Sequence, residues 1–358
     1  MALKLVVACG GTGGHAFPGL AAAKELSSRG HDVTVWMSGR DVETSVLKNW
    51  EGPVFATGAR QLSLKNVFRN LSAIWRCRRE MRKVRPDALL AMGSYSSLPP
   101  VLAAAGCKVP VVLHEANTVP GRAVDFLSNL AKAIAVSFEE TVTHFPAKET
   151  VLTGLPVRTD IAGCGRLEEV PENAFCVFVT GGSQGAHRVN EIASKALVLL
   201  ARELSGVGRS LYVIHQTGAK DAGWVAETYE KAGISARVNA FEHDMGSAMA
   251  TADVVVARAG ASTCFELALT GTPAFLIPLP SAMRNHQQYN ASAFAAKLAA
   301  AMGVQDDLTP GALSKWLLHG AMHPEFLSAM SENMKTMSVP DAAGRVADLV
   351  ERVAKGAK

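Results

Sequence analysis

The sequence predicts an α/β chain built as two doubly wound parallel-sheet domains, and three observations carry that prediction. Its 358 residues, at roughly 100–200 residues per domain, suit two domains or one large α/β unit. Short apolar runs of strand length alternate with helix-length segments. Twice, in separate halves of the chain, such a run leads into a glycine-rich turn and then a helical stretch.

Taken in order, Leu3–Ala8 reads as a buried strand, Gly10–Gly14 as a turn, and Pro18–Arg29 as a helix closed by Gly30. Val33–Trp36, Ala88–Ala91 and Val111–His114 repeat the strand pattern and complete a Rossmann-like first half. The pattern restarts at the strand Phe175–Thr180, the turn Gly181-Gly182-Ser183-Gln184-Gly185 and the helix Asn190–Leu200. Further strands are expected at Leu211–His215, Val254–Ala257 and Ala274–Pro278. Pro, Gly and charged residues cluster without periodicity over Leu155–Pro171, which predicts domains at 1–160 and 161–340. A closing helix, Ala342–Ala354, occupies 341–358, and the pattern leaves its packing open.

Composition narrows the function classes. With 48% hydrophobic and 19% charged residues, long disorder is excluded. A net charge of +4 is too small to argue for a nucleic-acid partner. The six cysteines contain no Cys-x-x-Cys pair, so reduced thiols in a cytoplasmic setting are expected, without a disulfide framework or zinc cage. No apolar run approaches the roughly 18 residues of a membrane span. Val6-Val7-Ala8-Cys9 imitates a lipoprotein cleavage site, but the apolar stretch after Lys4 is too short for a signal core, and a strand is the better reading.

From Gly11 the first turn satisfies the dinucleotide pattern G-x-G-x-x-A. Its amides and the following helix end suit a phosphate-bearing ligand. NAD further demands a carboxylate near the end of the second strand, where the chain gives Met37-Ser38-Gly39-Arg40. Arg40 leaves NADP open, whereas a second glycine turn favours a nucleotide-diphosphate sugar. His15, where the first turn becomes helix, is the candidate base, and it reads equally as a loop or phosphate-binding histidine. Glu115, in His114-Glu115-Ala116-Asn117, competes for the role of base. Gly260-Ala261-Ser262-Thr263 opens a helix whose amides suit a diphosphate, with Glu266 one turn on for a ribose diol. The same residues also fit an ordinary capping box. Gln287 and Gln288 carry amides that suit sugar hydroxyls. Between Arg60 and Arg85 lie nine basic residues and one acidic residue. Phe68, Leu71 and Trp75 share one helical face there, which suits either an anionic membrane surface or ordinary core.

Together these residues resemble the MurG family, bacterial transferases that move GlcNAc from UDP-GlcNAc to undecaprenyl-diphospho-N-acetylmuramoyl-pentapeptide, lipid I, to form lipid II of peptidoglycan. The resemblance runs through Gly10–His15 with Phe17-Pro18-Gly19-Leu20, then His114–Asn117, Pro156-Val157-Arg158-Thr159-Asp160, Gly181–Ala186 and Gln287-Gln288-Tyr289-Asn290. It implies a GT-B architecture, two Rossmann-like domains with a cleft between them, peripheral attachment to the cytoplasmic face of the inner membrane, and no cofactor or metal. The first domain would serve acceptor and membrane, the second the donor. Donor contacts carried over are Thr12, Gly13, Gly14, Asn117, Arg158, Ser183, Gly260, Ala261, Ser262, Thr263, Glu266, Gln287 and Gln288, and membrane contacts Phe68, Leu71 and Trp75. Phe241-Glu242-His243-Asp244-Met245 matches the family's uracil-binding segment, with Glu242 where an aliphatic residue is usual. Ala116 and Leu155 also depart from the family pattern, standing where glutamine and asparagine are common.

Overall fold

Parallel strands buried on both faces need helices on both sides, and the apolar runs of this chain are arranged that way twice. The computed structural model describes residues 1–358 except 12, 41, 42, 44–46, 48, 49, 62, 357 and 358, and leaves aside the side chains of 64 and 159. Two units result, one of Met1–Arg158 with Val339–Lys358, the other of Thr159–Ser338.

The first unit holds a parallel seven-stranded sheet of order β3-β2-β1-β4-β5-β6-β7. Its strands are β1 (Lys4–Ala8), β2 (Asp32–Met37), β3 (Val54–Ala56), β4 (Ala88–Ala91), β5 (Val111–Glu115), β6 (Ala133–Val136) and β7 (Glu149–Leu152). Leu5 of β1 lies opposite Val33 on one side and Ala88 on the other, so β1 and β4 flank the point where strand order reverses. The helices are α1 (Gly13–Ser28), α2 (Val67–Val84), α3 (Leu98–Gly106) and α4 (Arg122–Leu127). Helix α1 starts at Gly13, ahead of the expected Pro18, which therefore lies inside the helix, buried beside Gly19 and Leu20.

The second unit repeats the plan with six parallel strands in the order β10-β9-β8-β11-β12-β13. These are β8 (Phe175–Thr180), β9 (Leu211–Gln216), β10 (Ser235–Asn239), β11 (Val254–Ala257), β12 (Ala274–Leu276) and β13 (Ala300–Met302). Around them pack α5 (His187–Gly206), α6 (Ala222–Lys231), α7 (Met245–Thr251), α8 (Ala261–Thr270), α9 (His286–Ala296), α10 (Pro310–Met322) and α11 (Pro324–Thr336). Thr180 is paired with Ala257 at the ends of β8 and β11, which again bracket a reversal of strand order. In sheets of this kind ligands bind outside the carboxyl ends of the strands at such reversals.

The closing helix α12 (Ala342–Gly356) belongs to the first unit. Val346, Ala347, Leu349, Val350 and Ala354 enter the same buried cluster as Leu26 of α1 and Leu90 of β4. At its edge Arg29 bonds Glu25 (2.8 Å) and Glu351 (3.1 Å), and His31 lies 3.3 Å from Glu351. Burial pushes the Glu351 carboxyl up, but bonds from Lys355, Arg29 and His31 outweigh it and hold it at about 2. Leu349→Ala is expected to destabilise the first unit by about 2–5 kcal/mol, read from denaturant midpoints. The Glu351 contribution is full above the unfolded value of about 4.3 and is lost as pH falls toward 2. Glu351→Gln should therefore flatten the acid limb of the stability curve, and an unchanged limb would count against the pairing.

Candidate active site

In the first unit the turn after β1 is shaped by a carboxylate of the chain itself. Gly11 has φ +128, a conformation that side chains resist. Its N–H donates to Glu43 Oε1 at 2.7 Å. The same carboxylate accepts the amides of Ser38 (3.2 Å), Gly39 (2.8 Å) and Arg40 (3.2 Å), and the Ser38 hydroxyl. Glu43 is buried, yet these bonds overcome desolvation and hold its carboxyl below the usual range. The carboxylate that Met37–Arg40 lacked thus arrives from Glu43 and serves the turn. The Gly11 amide of the first turn is thus taken up by a carboxylate of the chain itself. Gly13 and Gly14 open α1, and Thr12 lies outside the described residues.

His15 is half-buried in the first turn of α1, with Nδ1 2.8 Å from the Met92 carbonyl. A carbonyl only accepts, so Nδ1 carries a proton in this bond. Met92 begins the turn after β4, where Ser94 Oγ donates to Gly10 O at 2.7 Å and ties the two turns together. His114, fully buried and 3.2 Å from Gly154 O, is pushed by burial down to about 4 and stays neutral.

Glu115, the second candidate base, has both carboxylate oxygens engaged. It is buried, its Oε1 accepts Asn117 N–H (2.9 Å) and Nδ2 (3.0 Å), and its Oε2 accepts Gly121 N–H (2.9 Å). Burial raises its carboxyl, and its bonds fix the loop that carries half-buried Asn117. Arg158 stacks its guanidinium over Phe17 at 5.1 Å, within the first unit. Ala116 and Leu155 are buried.

Helix α2 inverts the ordinary rule. Asn70, Ala73, Cys77 and Met81 face the core, while Phe68, Leu71 and Trp75 are 85%, 56% and 63% exposed. The core reading of those three is thereby excluded. Arg79 lies 6.0 Å from the Trp75 ring.

The second unit gathers the remaining candidates at the carboxyl ends of its strands. After β8, the glycine turn presses Gly185 so closely on the β9–α6 connection that a Cβ would lie 2.0 Å from Thr217 O. Ser183 is exposed at its tip. Asn190 Nδ2 donates to Thr217 O (2.8 Å) and to Asp221 (2.7 Å), which also meets His187 at 3.0 Å. After β11, Arg258 donates its backbone N–H to Thr180 O (3.3 Å), placing the two turns side by side. Its buried guanidinium bonds Ile277 O and Pro278 O, each at 3.0 Å, and Gln305 Oε1 at 2.6 Å. All are neutral oxygens, and burial lowers this guanidinium to about 10.

Gly260 is the N-cap of α8, in extended conformation and with no side-chain cap. Ser262 and Thr263 are therefore inside the first turn, which excludes the capping-box reading. The buried Ser262 hydroxyl has no hydrogen-bond partner among the described residues, a cost that a ligand atom would remove. Glu266 follows, half-buried, on the next turn. Asn290 Nδ2 donates to Ala259 O (3.1 Å) and draws α9 onto this loop. Gln287 Oε1 accepts Leu279 N–H at 3.0 Å, while Gln288 is exposed. Glu242 is buried and fully bonded, to Arg237 (3.1 and 2.8 Å), Asn239 Nδ2 (3.0 Å) and Asp244 N–H (2.9 Å).

Sequence reasoning missed Glu43 and Arg258. Glu43 lies beyond the strand end where a ribose-binding acid is sought, and Arg258 is a lone cation between Ala257 and Ala259. A charged residue directly after a buried strand was the available signal for Arg258.

Chemically, the second unit offers helix amides, a desolvated cation and an unsatisfied hydroxyl to an anion, with a carboxylate and amides nearby for hydroxyl groups. The first offers an imidazole in the first turn of a helix. Comparison with known proteins finds a match in each half. Residues 5–136 match the glycosyltransferase family 28 N-terminal domain and residues 176–346 the glycosyltransferase family 28 C-terminal domain. A relative from Geotalea uraniireducens (strain Rf4), named UDP-N-acetylglucosamine–N-acetylmuramyl-(pentapeptide) pyrophosphoryl-undecaprenol N-acetylglucosamine transferase, is 34% identical over 98% of each chain. One of the same name from Agrobacterium fabrum (strain C58 / ATCC 33970) is 34% identical over 98% of this chain and 95% of its own. The crystal structure of Acinetobacter baumannii MurG superposes with a TM-score of 0.79 at 30% identity, covering 98% of this chain and all of that one. The UDP-GlcNAc 2-epimerase from Neisseria meningitidis (TM-score 0.73, 12% identity, covering 98% of this chain and 100% of its own) shares the fold alone. With its two Rossmann-like units of GT-B type, the chain belongs to the MurG family, the UDP-N-acetylglucosamine–N-acetylmuramyl-(pentapeptide) pyrophosphoryl-undecaprenol N-acetylglucosamine transferases.

Proposed function

We propose that the chain transfers GlcNAc from UDP-GlcNAc to lipid I, forming lipid II, with the second unit holding the donor and the first the acceptor. The observations that carry this reading come from the loop between β11 and α8: the buried Arg258, whose side-chain partners among the described residues are neutral oxygens, the uncapped N-terminus of α8, and the Ser262 hydroxyl without a partner among those residues. Such a place suits a diphosphate. Gly260–Thr263 and Ser183 would surround it, Glu266 would take the ribose diol, the 241–245 segment the uracil, and Gln287 with Gln288 the GlcNAc hydroxyls. Arg158, held on Phe17, is assigned to the first unit's ligand.

A hydroxyl of the muramoyl sugar attacks the anomeric carbon in line, its proton passing to His15 Nε2, while UDP leaves and configuration inverts to a β-linkage. Charge gathering on the departing diphosphate is stabilised by the α8 amides and Arg258. Gly13 and Gly14, opening α1 next to His15, are assigned to the acceptor diphosphate, and the exposed apolar face of α2 supports siting a lipid-linked acceptor on the first unit. That face, flanked by Arg69, Arg76 and Arg79, suits peripheral docking on the anionic cytoplasmic face of the inner membrane.

A donor-transfer assay with a short-chain lipid I analogue should give the β-linked disaccharide, whereas epimerised UDP-sugar as product would overturn the reading. His15→Ala is expected to lower kcat by roughly 10²–10⁴ with donor affinity unchanged, and near-native turnover would remove His15 from its role. Exchanging Phe68 and Trp75 for serine should weaken sedimentation with anionic vesicles; identical sedimentation contradicts the docking assignment. Glu43→Gln should cost about 1–3 kcal/mol of stability at pH 7, where the lowered native pKa makes its contribution complete, without altering UDP affinity. A weakened UDP affinity would place the donor at the first turn.

A further inference from the structure

We propose that Gln216 is a positioning residue that locks the glycine turn after β8 to the Glu242 segment, so that the two bind a nucleoside diphosphate as one preformed surface. The inference rests on the donor assignment above. Gln216 is the last residue of β9 and is buried, and its side-chain amide is spent on both loops at once. Nε2 donates to Gly182 O at 2.8 Å and to Thr180 Oγ1 at 3.1 Å. Oε1 accepts Glu242 N–H at 2.9 Å. Thr180 Oγ1 in turn accepts Gly182 N–H at 3.1 Å, so both backbone groups of Gly182 are tethered.

Each tethered loop is stiff on its far side. Beyond Gly182, Gly185 is jammed on Thr217. Beyond Glu242, the carboxylate brackets Arg237, Asn239 and Asp244 N–H, and Phe241 and His243 meet edge to face at 5.0 Å. Neither loop moves relative to the other without breaking the Gln216 bonds. A primary amide is the side chain this position needs, since it donates to a carbonyl at one end and accepts from an amide at the other. Gln216 is directed at neither reacting atoms nor ligand; it acts by removing the ordering that binding would otherwise have to supply.

Gln216→Met keeps the length and adds no charge while deleting all three bonds. In steady-state transfer with UDP-GlcNAc, donor KM should rise about tenfold, with kcat within about twofold and acceptor KM unchanged. The calorimetric Kd for UDP should rise in parallel. Thr180→Val, near-isosteric at a strand end, removes one acceptor of the tether and should raise donor KM about threefold. It decides the matter if the first variant does not fold. Donor KM within about twofold of wild type, or a fall in kcat with donor KM unmoved, overturns the proposal. Wild-type protein that fails to bind UDP would instead sink the donor assignment, and this inference with it.

Discussion

Every parallel strand that ends at a reversal of strand order leaves backbone amides in a tight turn, and something must accept from them. How each turn is satisfied governs what each unit is able to bind. In the first unit the answer is covalent to the chain: Glu43 reaches the amides of Gly11, Ser38, Gly39 and Arg40. In the second, the Gly182 amide goes to a neutral hydroxyl, and one strand away stands a desolvated guanidinium whose partners among the described residues are neutral oxygens. One turn has its anion built in, and the other has a cation waiting for one.

That asymmetry distinguishes the turns of two units built on the same plan. A unit whose turn is internally neutralised is free to devote the start of α1, with His15 bonded to the Met92 carbonyl, to another partner. The same unit exposes Phe68, Leu71 and Trp75 and is closed by α12 through the Arg29–Glu351 contacts. The exposed face of α2 and the carboxyl-terminal helix therefore belong to one unit, while the unit assigned to the donor is formed by the continuous segment Thr159–Ser338.

Much of the fold was legible because buried parallel strands are nearly continuous apolar runs. Ala88–Ala91, Phe175–Thr180 and Val254–Ala257 have the same limits in sequence and structure. The unread strands are short or poorly buried: Val54–Ala56 and Ser235–Asn239 are sheet edges without a buried face, and Ala133–Val136 is too alanine-rich to stand out. In α2 the large apolar residues point outward and Ala73 and Cys77 inward, a reversal that periodicity alone cannot orient. The glycine turns and the α8 start were legible as motifs. Glu43, Arg258 and Gln216 were not, because their roles depend on which partners the fold brings to them, three to forty-seven residues away along the chain.

The division of labour between the two turns is tested most directly by amide hydrogen exchange with and without UDP, which reads the implicated backbone groups themselves. Slowed exchange over residues 181–186, 241–245 and 258–263, with 10–15 unaffected, is the predicted result. Protection at 10–15 while the second unit exchanges as it does without ligand would contradict the account.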